Sequence, residues 1–522
     1  MRTFVVNLTR FGDLLQTQPV LSGLKASGHE VGLVCLQNFR GATALLRDVD
    51  AVFDVPGARL LAGLDRAWPE AVGDFLAWTE GARKEFWPQA CINLTPSLPG
   101  RLLARALATG SISGFGMDGH GFGTYSSPWS AFLEASSRQR GCSPFNLVDL
   151  FWKAAHLGDG PRPFRLAEPA PDAVENALAI LAASAPPGHA GYLGLQLGAS
   201  AARRQWPVES FAALATGLWE GLRLCPVLVG GKGEEPLAEA FRAACQTPHV
   251  DLIGRTGLTE LAAVVSRLRL LVTNDTGTMH LAAGLDVPSL AIFLATAQPW
   301  DTGPYRPGCL CLEPDMPCHP CGFGQPCLLN EACRYKISAH VAQAFAEGFL
   351  RNGVWPELPE QGVRAWETVV EPDYFLGLRS RSGHGATDRA VWNTIQRRAW
   401  RQFLDGEPVC LSGLQGPGLS REYRDGLLAV LHQASGLLSV LIQQAEVLKA
   451  VNRPVMRTKF MATWQRLETL FSSSPGLSAL GHLWLHLSQQ QSEDLGHFLL
   501  LASRVENLVS SLVRYLSKDG QS

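Results

Sequence analysis

The chain has 522 residues, 46% of them hydrophobic and 18% charged, which is enough for roughly three or four domains with sizeable cores. The formal net charge of −2 argues against a general nucleic-acid-binding protein. Residues 1–8 form an apolar run that leads straight into a polar loop, so we expect no secretory signal, and without a run of about 18 uninterrupted apolar residues we expect no membrane span.

Residues 1–165 alternate between short apolar runs and helical spacing, which predicts a Rossmann-like α/β domain. Helical spacing is clear at residues 13–26. The predicted strands cover 3–7, 30–35, 51–55, 90–94 and 111–115. The stretch 116–141 is rich in glycine and serine and shows little periodicity, so we expect a mobile surface loop there.

The segment after the first predicted strand, residues 8–13, combines a glycine with a carboxylate. Gly12 permits a tight turn, and Asp13 then stands at the start of the first helix, at the carboxyl edge of the sheet. Two interpretations are open for Asp13. It is either an N-terminal helix cap, or a general base that faces a second domain across a cleft.

Proline and charge are concentrated in residues 159–172, which we interpret as a hinge between domains. A second alternating series over 171–350 predicts another Rossmann-like domain. Its predicted strands cover 191–197, 225–229, 250–253, 268–273 and 289–293. Two such halves joined by a hinge predict a two-domain α/β protein with a cleft between them.

Two loops of this second half carry groups suited to a nucleotide. Ser200 follows a predicted strand, and Arg204 could neutralise a diphosphate, although a surface loop with solvated arginines is the alternative. Glu234 closes a glycine-rich turn at residues 230–234 and could accept hydrogen bonds from ribose hydroxyls. The spacing is neither a Walker loop nor a dinucleotide fingerprint, so an ordinary strand-to-helix turn is the alternative there.

The most informative stretch is NDTGTMH at residues 274–280, a polar loop between a predicted buried strand and a predicted helix. Loops at the carboxyl ends of parallel strands are where open α/β sheets bind ligands. Free backbone N–H groups at a helix start favour phosphate, and Asp275 and His280 add a carboxylate and an imidazole. This stretch therefore indicates a nucleotide-linked substrate.

Six of the twelve cysteines lie within residues 309–333. Four of these thiols, belonging to Cys318, Cys321, Cys327 and Cys333, could form a tetrahedral site for zinc or iron. Reduced thiols packed in a loop, or a labile disulfide, are the alternatives.

Residues 351–388 have a mixed pattern, whereas 389–522 look helical. Two series of apolar residues in this region, within 427–448 and 495–516, follow a strict alternation of four and three. Such seams indicate an antiparallel helical bundle within the chain, with self-association through a coiled coil as the alternative. Nothing in this region looks catalytic.

In chain order, the motifs GDLLQTQP, GAS with RQWP, GG with a following glutamate, and DTGTMHLAA resemble glycosyltransferase family 9, the ADP-heptose:lipopolysaccharide heptosyltransferases. The resemblance covers residues 1–350, and its last motif is the most specific. It implies a GT-B fold of two Rossmann-like domains facing a cleft, inversion at the anomeric carbon, and no divalent metal for catalysis. The helical region beyond residue 351 lies outside the family core.

The resemblance also implies roles for single residues. Asp13 corresponds to the catalytic base. Arg204 falls where a basic residue meets the donor phosphates, and Glu234 falls near the adenosine ribose. The implied donor-binding set is Ser200, Arg204, Glu234, Asp275, Thr276, Gly277, Thr278 and His280. Cysteine clusters after the DTG motif also occur in family members, and related autotransporter heptosyltransferases hold iron in such a cluster, with wider spacing than here. Two departures are Thr278, where many members have proline or serine, and Asn7, which replaces a basic residue.

The resemblance implies a cytoplasmic transferase that moves a heptose or related sugar from an ADP-sugar to a hydroxyl of a lipopolysaccharide core or other glycan acceptor. Peripheral contact with the inner membrane face is left open. A protein O-heptosyltransferase, or a transferase for another nucleotide sugar, is a close alternative. A non-catalytic scaffold that works through the helical tail is a third, and the intact Asp13, Arg204, Asp275 and His280 argue against it.

Overall fold

The protein folds into two compact units, each built from two separate stretches of the chain. The computed structural model describes residues 1–138, 143–359, 362–451, 453–490 and 494–518. The first unit comprises Met1–Gly123 and Asn146–Gly383, and the second comprises Thr124–Phe145 and His384–Ser522. The first unit therefore contains both predicted Rossmann-like halves except for residues 124–145, which belong with the predicted helical region to the second unit.

The N-terminal half of the first unit is built on a largely parallel sheet. Its strands are β1 (Arg2–Val6), β2 (Glu30–Leu36), β3 (Ala51–Val55), β4 (Ala90–Asn93), β5 (Ser111–Met117) and β6 (Gly123–Tyr125). The helices of this stretch are α1 (Phe11–Leu15), α2 (Gln18–Ala26), α3 (Gly57–Phe86), α4 (Leu98–Leu107), α5 (Pro128–Arg138) and α6 (Leu147–Ala154). The strand order is β3-β2-β1-β4-β5-β6, and β1 to β5 pair in parallel. Helix α5 alone belongs to the second unit.

The C-terminal half of the first unit is built on an eight-stranded sheet. Its strands are β7 (Gly191–Gln196), β8 (Leu224–Val229), β9 (Val250–Asp251), β10 (Leu268–Asn274), β11 (Ser289–Ile292), β12 (Leu310–Pro314), β13 (Val363–Val370) and β14 (Leu376–Ser380). Its helices are α7 (Pro171–Ser184), α8 (Val208–Leu222), α9 (Glu235–Ala244), α10 (Leu258–Val265), α11 (Gly277–Gly284), α12 (Pro299–Thr302), α13 (Cys333–Lys336) and α14 (Ala339–Asn352). The strand order is β14-β13-β12-β11-β10-β7-β8-β9.

Strands β7 to β12 are parallel, whereas β13 and β14 add an antiparallel edge. The six residues of β8 are all buried, which is the burial expected of a strand covered by helices on both faces. The stretch 351–388, whose sequence pattern is mixed, thus supplies two strands to this sheet.

Strand order fixes where each half can bind a ligand. In the first sheet β1 lies between β2 and β4, and in the second β7 and β10 are neighbours from which the strand order runs in opposite directions. Ligands of open α/β sheets bind outside the carboxyl ends of strands at such switch points. The loops that follow β1, β7 and β10 contain Asp13, the segment from Ser200 to Arg204, and the segment from Asp275 to His280.

The predicted hinge, residues 159–172, is extended and packed rather than free. The Leu166 amide donates to the Gly284 carbonyl at the end of α11 (2.9 Å), and the Ala167 amide donates to the Leu45 carbonyl in the N-terminal half (2.8 Å). The fully buried Arg162 side chain pairs with Asp149 of α6 at 2.8 Å. The connection between the halves is therefore anchored on both sides.

The second unit is a helical bundle. Its helices are α5 together with α15 (Asp388–Asp405), α16 (Arg421–Ala450), α17 (Pro454–Ser473), α18 (Ser478–Gln490) and α19 (Leu495–Lys518). Helix α16 packs against α17 and α19. The α16 seam is buried throughout, at Leu427, Leu431, Ala434, Leu438, Leu441, Ala445 and Leu448. The predicted intramolecular bundle is confirmed.

The predicted surface loop at 116–141 is wrong for its central part. Pro128–Arg138 form helix α5, and Trp129 and Phe132 are buried with 3% and 1% exposure. Eight consecutive residues of this helix, 129–136, are buried, so no polar face marks the helical period in the sequence. Residues 139–141 of the expected loop lie outside the described residues.

Among the described residues, one helix is long and apolar enough to cross a membrane by length and composition alone. This helix is α16, with a mean hydropathy of 1.5. Core helices of soluble bundles pass the same test, and the leucine seam of α16 is buried in the second unit.

Candidate active site

Asn7 organises the loop that carries Asp13. The side chain of Asn7 is buried at the end of β1, and its Nδ2 donates to the Asp13 carbonyl (3.2 Å) and to Thr17 Oγ1 (2.7 Å). Its Oδ1 accepts from the Thr9 amide at 3.1 Å. Where the resemblance led us to expect a basic residue, this chain therefore has a buried amide that ties the loop to α1 and α2.

Asp13 is not the N-cap of α1, which is Arg10, but the third residue of the helix, and its role as a general base stays a prediction. Its Oδ2 accepts from the Arg10 amide at 3.4 Å, which is the contact expected of a capping carboxylate at the third helical residue. Burial raises the pKa of Asp13, nearby Asp275 raises it further, and Arg10 and Thr9 oppose the increase. Because Asp275 lies in the loop that follows β10, the Asp13 carboxyl lies near the opposite half of the first unit.

Arg204 and Asp275 form an ion pair at the carboxyl edge of the second sheet. The two side chains are 12% and 9% exposed, and Arg204 Nη1 also donates to Ser200 Oγ at 3.0 Å. Thr302 Oγ1 lies 3.5 Å from Asp275 Oδ2. Three predicted donor-binding residues are thus brought together, and the guanidinium that was expected to meet phosphate is paired with a carboxylate.

Glu234 lies in a cradle that only glycines permit. A methyl group at either Gly198 or Gly230 would overlap its carboxylate. The Gly231 amide donates to Glu234 Oε2 at 3.1 Å, and Gln196 Nε2 donates to both carboxylate oxygens at 3.1 and 2.9 Å. Burial raises the pKa of Glu234, and these hydrogen bonds oppose the increase.

Gln196 is a site residue that the sequence did not single out. Its Oε1 accepts from Thr278 Oγ1 at 2.9 Å while its Nε2 holds Glu234, so it connects the two loops. The only signal in the sequence is a polar residue at the end of an apolar strand, which is too common to be informative. Its position at the switch point becomes evident only once β7 and β10 are adjacent.

Asn274 joins the loops that follow β7 and β10. It is fully buried, and its Nδ2 donates to the carbonyls of Leu197 (2.8 Å) and Gly198 (3.1 Å), while its Oδ1 accepts from the Trp206 amide (2.9 Å). Thr276 then caps α11 in an extended conformation, so the N–H groups of the helix start face the cleft. Thr276, Gly277 and Thr278 form this helix start, and their contact with a diphosphate stays a prediction.

His280 lies in α11 where this helix meets α1. It is 5% exposed, and burial lowers the pKa of its imidazole to about 4, so the ring is neutral at neutral pH. Within the described part of the chain, its Nδ1 has no hydrogen-bond partner. The ring contacts Gly12, which places His280 beside the Asp13 loop.

The four clustered cysteines line a loop that packs against the Arg204 segment. Cys318 and Cys327 are exposed and Cys333 is buried. Burial raises the pKa of Cys321, and the three other thiols raise it further. Within the described residues, no group of three or more histidine, cysteine or acidic side chains is arranged to hold a metal ion. The side chains as placed do not fit a tetrahedral metal site, and zinc or iron at these thiols stays a prediction.

Comparison with known proteins agrees with this arrangement. Residues 163–332 match the sequence model of a family described as glycosyltransferase family 9 (heptosyltransferase). The chain is 33% identical over 154 residues to lipopolysaccharide heptosyltransferase 1 of Pseudomonas aeruginosa and 32% identical over 99 residues to lipooligosaccharide heptosyltransferase 2 of Haemophilus influenzae. These matches cover 30% and 18% of this chain and span 40% and 28% of the two relatives.

The solved structure of E. coli ADP-heptose lps heptosyltransferase II aligns over 68% of this chain and 99% of its own, with a TM-score of 0.50 and 15% identity. Two Rossmann-like halves that face each other across a cleft define a GT-B fold. Residues 163–332 of the chain are therefore similar to glycosyltransferase family 9, and the chain spans less than half the length of the two heptosyltransferases it matches.

Proposed function

We propose that this protein is an inverting glycosyltransferase that transfers a heptose or related sugar from an ADP-sugar to a hydroxyl of a lipopolysaccharide core or other glycan acceptor. The observation that carries the proposal is the position of Asp13. Its carboxyl faces the Asp275 loop of the second half, and its pKa is raised by burial. A carboxylate held opposite an anion-binding helix start is the arrangement that a single displacement needs.

The donor is proposed to bind to the C-terminal half. The N–H groups at the start of α11 and the Arg204 guanidinium would hold the diphosphate, since both favour phosphate oxygens. Glu234, fixed by Gln196, would accept hydrogen bonds from the ribose. Arg204 must exchange Asp275 for phosphate when the donor binds, and Asp275 is then free to accept hydrogen bonds from the sugar.

The reaction is proposed to be one displacement at the anomeric carbon. Asp13 takes the proton from the acceptor hydroxyl while that oxygen forms the new bond to carbon. The bond from the anomeric carbon to the diphosphate oxygen breaks on the opposite face, and ADP leaves with the electron pair. Arg204 and the α11 helix start stabilise the charge that grows on the leaving phosphate. No step in this scheme uses a metal ion.

The nature of the acceptor is supported by the relatives. Both carry lipopolysaccharide or lipooligosaccharide heptosyltransferase in their names, which favours a lipid-linked glycan and a location at the cytoplasmic face of the membrane. A protein acceptor, or a donor with another nucleotide, uses the same site chemistry and is the alternative.

Calorimetric titration of the purified protein with ADP-heptose, with UDP- and GDP-sugars as controls, tests the donor. We expect selective binding of the ADP-sugar, with Glu234→Gln weakening it. Binding of a different nucleotide sugar would show that the proposed donor is wrong and would leave the proposed mechanism unchanged. If no nucleotide sugar binds, a non-catalytic scaffold becomes the better explanation. Product analysis by NMR then tests inversion, which predicts opposite anomeric configurations in donor and product.

A further inference from the structure

Two glycines, one in each half of the first unit, lie against an aromatic ring of the opposite half. A methyl group on Gly12 would be 2.8 Å from Cδ2 of His280, which is closer than any ordinary contact. A methyl group on Gly277 would overlap Cδ1 of Phe11. The two contacts are reciprocal, because each of the paired helices α1 and α11 supplies one glycine and one ring.

The rings differ in how far they can move. The His280 side chain is enclosed by protein, with only 5% of the residue exposed. Phe11 is half-buried and could swing toward solvent. The contact between Gly12 and His280 is therefore the rigid half of the arrangement, and the contact between Phe11 and Gly277 is the adjustable half.

Buried polar groups occur on the same faces of α1 and α11. Gln16 is fully buried, and its backbone N–H donates to the Gly12 carbonyl at 3.0 Å. The two residues are therefore one helical turn apart on one face. Within the described residues, neither polar atom of the Gln16 side chain has a partner, and neither does Nδ1 of His280. Buried polar groups without a partner are uncommon in folded proteins.

We propose that Phe11, Gly12 and His280 act as positioning residues that hold the Asp13 loop in register with α11. Asp13 directly follows Gly12, so any shift of the α1 backbone moves the carboxylate away from the donor loop. A misplacement of about 1 Å can lower a rate by roughly a hundredfold. The proposed catalytic role of the register rests on the transferase function, whereas the contact between α1 and α11 does not.

The test uses the full-length protein with Gly12→Ala, Phe11→Ala and a matched control, Gly73→Ala. Gly73 lies in α3 of the same half, and a methyl group there meets nothing within 4 Å. Hydrogen exchange of the amides in 277–284 reports the contact in the unliganded protein. Calorimetry with the ADP-sugar and steady-state kinetics report the effect on the reaction.

We expect Gly12→Ala to speed amide exchange in 277–284 and to lower kcat roughly ten- to a hundredfold, with the donor KM within about twofold of wild type. Phe11→Ala should have smaller effects on both amide exchange and kcat. Gly73→Ala should change neither amide exchange nor kcat. Phe11→Ala also serves as the probe if Gly12→Ala does not fold.

Faster exchange with unchanged kcat would overturn the positioning role, and unchanged exchange would overturn the contact itself. A fall confined to donor affinity would assign these residues to binding instead. If the wild-type protein binds no nucleotide sugar, the proposed function fails, and the exchange result still decides whether the two helices are held in register.

Discussion

At the residue scale, the Asp13 carboxyl is held in an unfavourable environment. Burial and Asp275 raise its pKa, so the folded protein prefers the protonated form more than the unfolded chain does. A carboxyl with a raised folded pKa contributes stability at low pH, and this contribution is lost as pH rises through that pKa. At neutral pH the ionised Asp13 therefore destabilises the fold.

Asp13→Asn should separate activity from stability. Replacing the base by an amide should lower kcat by roughly 10²- to 10⁴-fold. The same change removes a buried charge, so the Tm at neutral pH should rise. Steady-state kinetics and thermal unfolding in parallel check both. Full activity in this variant would show that Asp13 is not the base, and a lower Tm would show that its carboxylate stabilises the fold.

The raised pKa of Asp13 also predicts how activity falls at low pH. Asp13 must be ionised to accept a proton, so activity should fall as pH drops through its folded pKa. Since burial raises that pKa, the fall should begin at a higher pH than for an ordinary aspartate. A pH profile of kcat/KM that stays flat down to pH values near 4 would be inconsistent with Asp13 as the base.

His280 should give the protein a specific sensitivity to acid. Burial lowers its pKa from 6.5 to about 4, so the neutral ring contributes stability above pH 6.5 that is lost as pH falls toward 4. A shift of this size corresponds to about 3 kcal/mol. His280→Asn should show a smaller loss of the free energy of unfolding between these pH values. Urea denaturation at each pH measures this free energy. If it falls equally with pH in both proteins, the pKa of His280 does not change on folding.

At the element scale, the loops that follow β7 and β8 hold Glu234 through backbone shape. A methyl group at Gly230 would overlap its carboxylate, so Gly230→Ala should displace Glu234 and weaken ADP-sugar binding about tenfold, or about 1.4 kcal/mol. Calorimetry measures this change, and Gly73→Ala provides a control in open space. An unaltered Kd in Gly230→Ala would exclude Glu234 as a donor contact.

The bundle should depend on the buried seam of α16. Leu438 is fully buried, with 0% exposure to solvent. Leu438→Ala should therefore lower the free energy of unfolding by about 2–5 kcal/mol. Gly436 is on the same helix with open space around it, and Gly436→Ala should raise stability by about 1 kcal/mol. Chemical denaturation, followed through the helical signal, measures both changes. Equal free energies of unfolding in the two variants would contradict the prediction.

At the scale of the whole molecule, local sequence patterns predicted the helices and strands better than the contacts between them. The α16 seam was evident because it repeats every three and four residues over one long helix. Helix α5 was missed because it is buried on all sides, which hides its period. Gln196 was missed because its importance comes from residues 38 and 82 positions away in sequence. Pairings between distant stretches are set by tertiary packing, which one sequence does not display.

The second unit illustrates this limit and determines how its role should be tested. Trp129 Nε1 of α5 donates to Asp405 of α15 at 2.8 Å, and Gln490 of α18 donates to the Tyr125 carbonyl at 2.9 Å. Removing residues 390–522 alone would expose the apolar surface of α5, so we expect that truncation to aggregate.

Replacing 124–145 with a short glycine-serine linker in the same truncation removes the exposed helix as well. We expect this second protein to be soluble and to bind the ADP-sugar, because every proposed donor contact lies in Asn146–Gly383. Light scattering and calorimetry on the two truncations provide the comparison. If both are equally soluble, α5 does not depend on the bundle. If the soluble form binds donor but transfers no sugar, the helical unit contributes to the acceptor step rather than to folding.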